Sequence, residues 1–291
     1  MYIPTGKSTF AGAGGMDGGM IEAGVNIIQS LEIDKTCAQT LRQNFGHTVL
    51  ETDIKNVTVL DQPKTDVVIG TYPCTKYSTF ANITGTRTGD DLFLHFFRHV
   101  ALEQPEMYII ENVPGMKKFK VVMECFTKLP NYYVHVVPID ALKWLPQRRE
   151  RLIVIGTKRP FTPSQPEFKK RITLKSIIEK DPDIHIPQYV YNRINGKYRD
   201  KPIVSDPNDI NAYAPTCVAH YSRDLGTRMV KDKRFPHGVR PYTPLEYARL
   251  QGFPDHFKFA GAPSEIYKQI GNAVAWPMAK WCGEQVMRYF N

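Results

Sequence analysis

Lys7-Ser8-Thr9-Phe10-Ala11-Gly12-Ala13-Gly14-Gly15, followed by Met16 to Ala23, decides how the chain is read. Lys7 to Phe10 is a short candidate strand, the glycines form a turn, and Met16 to Ala23 suits a helix. Strand, glycine turn and helix open the dinucleotide-binding folds, where bare backbone meets a ligand at a helix N-terminus. The spacing is Phe-x-Gly-x-Gly-Gly rather than GxGxxG, and a tight structural turn would use the same glycines. A phosphate-binding Walker loop is excluded, because Gly6-Lys7-Ser8 requires a glycine where Met1 stands.

Working outward, Asn26 to Leu31 is a second strand that ends at Glu32, 17 positions after Gly15. A carboxylate there can accept hydrogen bonds from ribose hydroxyls, although any strand may end in an acid. Lys35 to Asn44 is a helix, and a third strand near Val49 ends at Asp53-Ile54. Asp53 could accept from an adenine amino group. Three successive strand ends thus suit an adenosine-containing cofactor.

Val67-Val68-Ile69-Gly70-Thr71-Tyr72-Pro73-Cys74-Thr75-Lys76-Tyr77-Ser78 is an apolar run broken by Gly70 and Pro73. It delivers Cys74 to the carboxyl rim of a sheet, where ligands bind and an accessible thiolate can attack. Cysteine is also a common small buried residue, so this stretch alone leaves both readings open. Thr75 to Asp91 is polar and long enough for a functional loop. Leu92, Phe93, Phe96, Phe97 and Val100 recur at helical spacing. The strand Met107-Tyr108-Ile109-Ile110 ends in Glu111-Asn112-Val113-Pro114-Gly115, which puts Glu111 at the rim of Cys74, suited to proton exchange with a bound ring. A helix is expected over Lys117 to Leu129 and a strand over Tyr132 to Val137. Gln147-Arg148-Arg149-Glu150-Arg151 precedes the apolar strand Leu152 to Gly156; its arginines could hold phosphates or a substrate oxygen, or form a solvated turn.

The 291 residues are 42% hydrophobic, enough for a sizeable core, and carry a net charge of +9, which suits a polyanionic partner. Cys37, Cys74, Cys125, Cys217 and Cys282 are far apart with no CxxC pair. No metal site or disulfide framework is expected, and reduced thiols fit an intracellular compartment. No apolar run has membrane-spanning length, and Met1 to Gly6 has no signal-peptide build. From Pro160 to Gly238 periodicity is poor. Within it, Arg223 to Arg240 holds six Lys/Arg, among them Arg228, Lys231, Lys233 and Arg234, against two Asp. A smaller irregular region with a basic face is expected there. Order returns at Arg240 to Pro254, where Thr243 suits an N-cap, Pro244 the first helical position and Gly252 the helix end. Tyr267 to Val274 and an apolar helix to Phe290 follow.

In this order the motifs resemble the cytosine carbon-5 DNA methyltransferases, over nearly the whole chain outside Pro160 to Gly238. Phe10 to Gly15 resembles the family's first cofactor motif, and Glu32 and Asp53 its ribose and adenine contacts. Pro73-Cys74 is similar to the catalytic dipeptide, Glu111-Asn112-Val113 to the acid motif, and Gln147 to Arg151 to the arginine motif that meets the target base. Arg240 to Pro254 resembles the motif that steadies the small domain. Gln269-Ile270-Gly271-Asn272-Ala273-Val274 resembles the last motif, which returns to the cofactor. Thr75, Tyr77 and Ile33 depart from the family's usual Gln, Phe and aromatic residues.

The resemblance implies an α/β fold: a Rossmann-like, doubly wound, mostly parallel sheet formed by residues 1–165 and 265–291. A target-recognition domain over 166–264 completes it. It implies S-adenosylmethionine as cofactor, in a pocket of Phe10, Ala11, Gly12, Gly14, Gly15, Glu32, Ile33, Asp53, Ile54, Pro73, Leu92, Asn272, Ala273 and Val274. Cys74 would add to carbon 6 of a flipped-out cytosine. Glu111 would hydrogen-bond the ring, and Arg151, with Arg149 as second choice, would hold the base. Ser78, Arg149, Arg228, Lys231, Lys233 and Arg234 would contact duplex DNA. A cytoplasmic, nucleoid-associated or phage-encoded monomer is implied, with a restriction endonuclease as a conceivable partner. Two alternatives are a tRNA cytosine methyltransferase of the same fold and an inactive DNA-binding homologue. Cys125-Phe126-Thr127 matches a tripeptide of the tRNA branch, but lies in the helix after Glu111 rather than in the recognition region.

Overall fold

The computed structural model describes residues 1–73, 92–167, 172–197, 199–200 and 202–291. The described chain forms two compact units: 1–139, 150–166 and 276–291 make the first, and 140–149 with 167–275 the second.

In the first unit, chain order runs β1 (Thr5–Thr9), α1 (Gly15–Glu22), β2 (Asn26–Glu32), α2 (Lys35–Asn44), β3 (Thr48–Glu51), β4 (Val67–Gly70), α3 (Leu92–Glu103), β5 (Met107–Asn112), α4 (Lys120–Thr127), β6 (Tyr133–Asp140) and β7 (Glu150–Thr157). The sheet order is β3-β2-β1-β4-β5-β7-β6. β1 runs parallel to β2 and β4, β2 to β3, and β4 to β5; β7 runs antiparallel to β5. This is the doubly wound, mostly parallel architecture expected from alternating strands and helices. Strand order reverses between β1 and β4, so their carboxyl ends flank the crevice where such sheets bind ligands.

Every residue of β4 and β5 is buried, as fits strands covered on both faces. Val68, Tyr108, Ile110, Leu152 and Val154 pack with Phe93, Phe96 and Val100 of α3 and Val122 and Phe126 of α4. A Cβ on Gly70 would lie 2.5 Å from the Phe96 ring, so the strand that leads to Pro73 needs a glycine to seat this helix. No helix among the described residues is long and apolar enough to cross a membrane.

Under α3 lies a buried polar cluster. Lys7 donates to the Pro63 carbonyl at 3.2 Å and pairs with the Glu103 carboxylate. Glu103 also accepts from the Thr65 N–H and hydroxyl at 2.8 and 3.0 Å. His99, one turn earlier, is 1% exposed, and neither ring nitrogen has a hydrogen-bond partner among the described residues. Burial above all, then the charges of Lys7, Arg98 and His95, push its pKa down to about 4. Between pH ~6.5 and ~4 the unfolded chain binds a proton that folded His99 refuses, so stability falls as pH falls through that window. The full window is worth roughly 3 kcal/mol. Urea unfolding at pH 7 and pH 4.5 should therefore show a smaller acid loss for His99→Leu than for the wild type; equal losses would exclude His99 as the source.

The second unit holds α5 (Leu174–Ile177), α6 (Gln188–Asn195), β8 (Ile203–Ser205), β9 (Arg228–Lys231), β10 (Val239–Pro241), α7 (Pro244–Leu250) and α8 (Pro263–Asn272). Its small sheet has the order β10-β9-β8, with β8 parallel and β10 antiparallel to β9. The closing helix α9 (Trp276–Phe290) belongs to the first unit and packs on α1. Close packing there is built on small residues: a Cβ on Gly19 would lie 2.6 Å from the Lys280 backbone nitrogen.

By packing, 140–149 and 265–275 fall in the second unit, whereas the sequence reading assigned them to the first domain. Arg149 is one reason. It is 1% exposed, and its guanidinium donates to the carbonyls of Cys217, Gly271 and Ala273 at 3.0, 3.1 and 2.7 Å. Gln147 adds a bond from Nε2 to the Leu250 carbonyl at 2.7 Å, and its Oε1 accepts the Cys217 N–H at 2.8 Å. The α7 motif is equally self-contained. Thr243 and Glu246 form a capping box behind Pro244, and Glu246 receives two bonds from the fully buried Arg240, at 2.7 and 2.6 Å.

Candidate active site

Where β1 ends, the backbone turns left-handed three times, at Phe10 (φ 58°), Gly12 (φ 56°) and Gly14 (φ 84°). The two glycines are needed for different reasons. A Cβ on Gly14 would collide with Phe45 and Leu41 at 2.5 and 2.8 Å, whereas one on Gly12 would meet nothing within 4 Å among the described residues. The face above Gly12 is therefore open, as a ligand that touches bare backbone requires. Ala11 is buried and its N–H donates to Leu31, which ties the turn to β2. Gly15 begins α1.

Glu32, the last residue of β2, is 8% exposed. Its Oε2 accepts the Gly12 N–H at 2.7 Å and its Oε1 the Asp34 N–H at 2.8 Å. Burial raises its pKa, and these two N–H bonds work against the rise. Each oxygen has accepted one such bond and keeps capacity for another, so the carboxylate can take a vicinal diol without giving up the turn. Ile33 is 62% exposed beside it. Asp53 caps the turn Ile54–Asn56 through the Lys55 N–H. The Ile54 side chain is buried with Leu31 and Val57, and its carbonyl accepts Arg98 Nη2 at 2.8 Å. Leu92 starts α3 against the main core. In the second unit Asn272 is exposed at the end of α8, while Ala273 and Val274 are buried. The open Gly12 face and the ribose-suited carboxylate fit an adenosine-containing cofactor.

Across the strand-order switch, β4 leads to Thr71, Tyr72 and Pro73. Thr71 Oγ1 donates to the Phe10 carbonyl at 2.8 Å, and its N–H to Thr9 at 3.3 Å. The Tyr72 ring meets Phe10 edge-on at 6.3 Å, its hydroxyl donates to Met116 Sδ at 2.9 Å, and its carbonyl accepts Asn112 Nδ2 at 3.1 Å. Thus the stretch that leads out of β4 is pinned to both the glycine turn and the end of β5. Thr71 and Tyr72 stand within the stretch that leads to Cys74 and Asn112 within the acid motif, but no local signal marks their anchoring contacts, and Met116 lies outside every motif. Cys74, Thr75, Tyr77, Ser78 and the rest of the loop to Asp91 lie outside the described residues.

A left-handed φ on a non-glycine residue costs on the order of 1 kcal/mol and must be held by its surroundings. Thr71→Val, which keeps the shape and deletes the donor to Phe10, should weaken S-adenosylmethionine binding roughly 2- to 10-fold, the worth of one net hydrogen bond. Thr71→Ser should bind as the wild type does. Calorimetry checks both, and an unchanged Thr71→Val would make the bond irrelevant to the turn.

At the end of β5, Glu111 meets Arg151 from the start of β7. Arg151 Nε donates to Glu111 Oε1 at 2.8 Å, and its Nη1 to the Glu150 carbonyl at 2.7 Å. The antiparallel register pairs Glu111 with Ile153 and Asn112 with Leu152, which brings Arg151 to the strand's end. Both side chains are about one-tenth exposed, at 12% and 10%. Acid and arginine therefore converge at this strand end. Arg149 does not join them: its guanidinium donates to three carbonyls of its own unit.

The other basic residues are partly neutralised. Lys231 pairs with Asp206 at 2.9 Å. Arg234 donates to Asp232 and to the carbonyls of Glu179 and Lys180, so it is held locally rather than free for phosphate. Arg234, and then Arg240, hold the Asp232 carboxyl far below the usual carboxylate range, against the opposing effect of burial. Arg228 is half-buried with Nη1 on the Thr227 hydroxyl, and Lys233 is exposed. Cys125-Phe126-Thr127 is explained by packing: Phe126 sits among the rings of Phe93, Phe96 and Phe97, and the Thr127 hydroxyl donates to the Met123 carbonyl.

Comparison with known proteins agrees with this arrangement. A family model described as C-5 cytosine-specific DNA methylase matches residues 5–288. Type II methyltransferase M.Sau96I of Staphylococcus aureus is 28% identical, over 97% of this chain and 75% of its own. Type II methyltransferase M.BsuFI of Bacillus subtilis is 30% identical, over 93% of this chain and 69% of its own. The fold is shared with the Entamoeba histolytica methyltransferase EhMeth, at a TM-score of 0.83 and 17% identity over the full length of both chains. A match that runs almost from end to end, on a chain whose acid, arginine and glycine turn already stand at one sheet rim, makes the chain a member of the C-5 cytosine-specific DNA methylase family, the S-adenosylmethionine-dependent DNA methyltransferases.

Proposed function

We propose that the protein flips a cytosine out of duplex DNA and methylates its carbon 5 through a covalent adduct with Cys74, as the modification partner of a restriction endonuclease. The observation that carries this reading is the Glu111–Arg151 pair at the end of β5, beside the anchored Tyr72-Pro73 exit. The Type II names of its relatives support the restriction partner.

Carbon 5 of cytosine is a weak nucleophile. When the Cys74 thiolate adds to carbon 6, the ring becomes an enamine and electron density reaches carbon 5. Glu111 donates to ring nitrogen 3 as that charge develops and accepts from the exocyclic amine. Arg151 orients Glu111 and holds the base, a preorganised electrostatic role. Phe10, Gly12, Glu32 and Asp53 would hold S-adenosylmethionine, which supplies an electrophilic methyl group when bound. Carbon 5 takes the methyl, then loses its proton, and the thiolate leaves as the ring regains aromaticity. The base must be extrahelical, since a stacked pair buries both faces.

The described cysteines offer no rival nucleophile at this rim. Cys37, Cys217 and Cys282 are buried, Cys125 lies in α4, and burial pushes the Cys282 thiol up. Bisulfite sequencing of host DNA with and without the expressed protein should reveal methylcytosine in one short sequence context. Methyl transfer to tRNA transcripts with none to duplex DNA would instead select the tRNA alternative.

A further inference from the structure

The turn Pro114–Lys118 follows directly on the strand that ends in Glu111-Asn112. It is firmly seated. Met116 is fully buried and receives the Tyr72 hydroxyl, its N–H donates to the Val113 carbonyl at 3.0 Å, and the Phe119 N–H returns to the Met116 carbonyl at 3.0 Å. The turn packs against β7, the strand that carries Arg151. With Met116 drawn inward, Lys117, Lys118 and, just beyond, Lys120 are all exposed. Among the described residues none of the three enters an ion pair, in contrast to Lys231 and Arg234 of the second unit. No acid lies between Glu111 and Glu124.

Three ammonium groups within four residues, none in an ion pair among the described residues, repel one another and concentrate positive charge at this strand end. At the same rim the buried carboxylate of Glu111 would repel a polyanion. We infer that Lys117, Lys118 and Lys120 form a phosphate-binding edge that grips the DNA backbone beside the extruded cytosine. The edge belongs to the first unit and adds contacts to any made by the second. Counter-ion release makes such contacts visible as salt dependence, about 0.9 in the log–log slope for each phosphate neutralised. This inference rests on the proposed action on duplex DNA.

The test compares the full-length wild type with Lys117→Gln/Lys118→Gln/Lys120→Gln and the three single variants. Anisotropy titrations on one duplex from low to moderate salt give the slopes, and calorimetry gives S-adenosylmethionine affinity without DNA. The expected result is a slope shallower by about 0.9 for each lysine that meets a phosphate, about two to three units in the triple variant. The KM for DNA should rise while kcat and cofactor affinity stay at wild-type values. A wild-type slope in the triple variant would overturn this inference and leave the proposed function standing. A wild type that binds no duplex at any salt would overturn both. Slopes that change on tRNA but not on duplex would assign the edge to RNA and overturn the DNA reading.

Discussion

Cys74→Ser is expected to abolish methyl transfer, with a loss on the order of 10³- to 10⁶-fold, the range seen when a covalent nucleophile is removed. The reason is chemical. A thiol near its ordinary pKa is a few per cent thiolate at neutral pH and is strongly nucleophilic, whereas a serine hydroxyl stays protonated. Without addition at carbon 6, carbon 5 remains a weak nucleophile. Duplex DNA with 5-fluorocytosine at the target gives the complementary result. Fluorine blocks the final loss of a proton from carbon 5, so the thioether to carbon 6 persists after methylation. A band stable to denaturing electrophoresis should form, require S-adenosylmethionine and vanish in Cys74→Ser. It should survive substitution of Cys37, Cys125, Cys217 or Cys282. An adduct mapped to another cysteine, or wild-type turnover in Cys74→Ser, would remove Cys74 from the mechanism.

Arg149→Ala and Arg151→Ala should fail in different ways. Loss of the Arg149 guanidinium strips donors from three carbonyls, those of Cys217, Gly271 and Ala273. A buried acceptor left unmade costs about 1–3 kcal/mol, so destabilisation of about 3–5 kcal/mol is expected, at the diagnostic end for one substitution. Arg149→Lys should recover little, because a single ammonium cannot serve three acceptors as a planar fork does. Arg151→Ala removes one ion pair at a strand end and should destabilise less. Its effect should fall on turnover, about 10²- to 10³-fold, the usual loss when a preorganised charge is deleted. Urea unfolding and single-turnover methylation separate the two. An Arg149→Ala protein as stable as the wild type but slow in turnover would return Arg149 to the catalytic group.

These two arginines also mark where the sequence was legible and where it was not. The motif announced basic side chains before a buried strand, but which one reaches Glu111 depends on where β7 begins. It begins at Glu150, so Arg151 is fixed by the strand register while Arg149 follows the irregular chain of the other unit. Helices with local start signals were read well. Asp34 caps α2 through the Thr36 and Cys37 N–H groups, and α2 spans Lys35–Asn44 as expected. The same holds for Thr243 and Pro244 at α7. The helix expected over Lys117 to Leu129 is instead a tight turn and then Lys120–Thr127, because Met116 is pulled into the core under Tyr72, a long-range contact with no local signature. Strands β8, β9 and β10 are three or four residues long, too short to show a period, so their region read as irregular. Nothing local to Ile54 announces that its side chain packs on Leu31 and Val57, because that contact joins separate strand ends.

Gly12 and Gly14 stand two residues apart and answer to different pressures. At Gly14 any side chain would strike Phe45 and Leu41, so the fold itself forbids change. At Gly12 the left-handed backbone resists, and a Cβ would meet nothing within 4 Å among the described residues. Asparagine tolerates that backbone far better than most residues. A lineage that gave up methyl transfer could therefore drift at Gly12 with little harm to folding while Gly14 stayed fixed. The pair thus distinguishes, within one loop, descendants that kept the cofactor from those that kept only the scaffold.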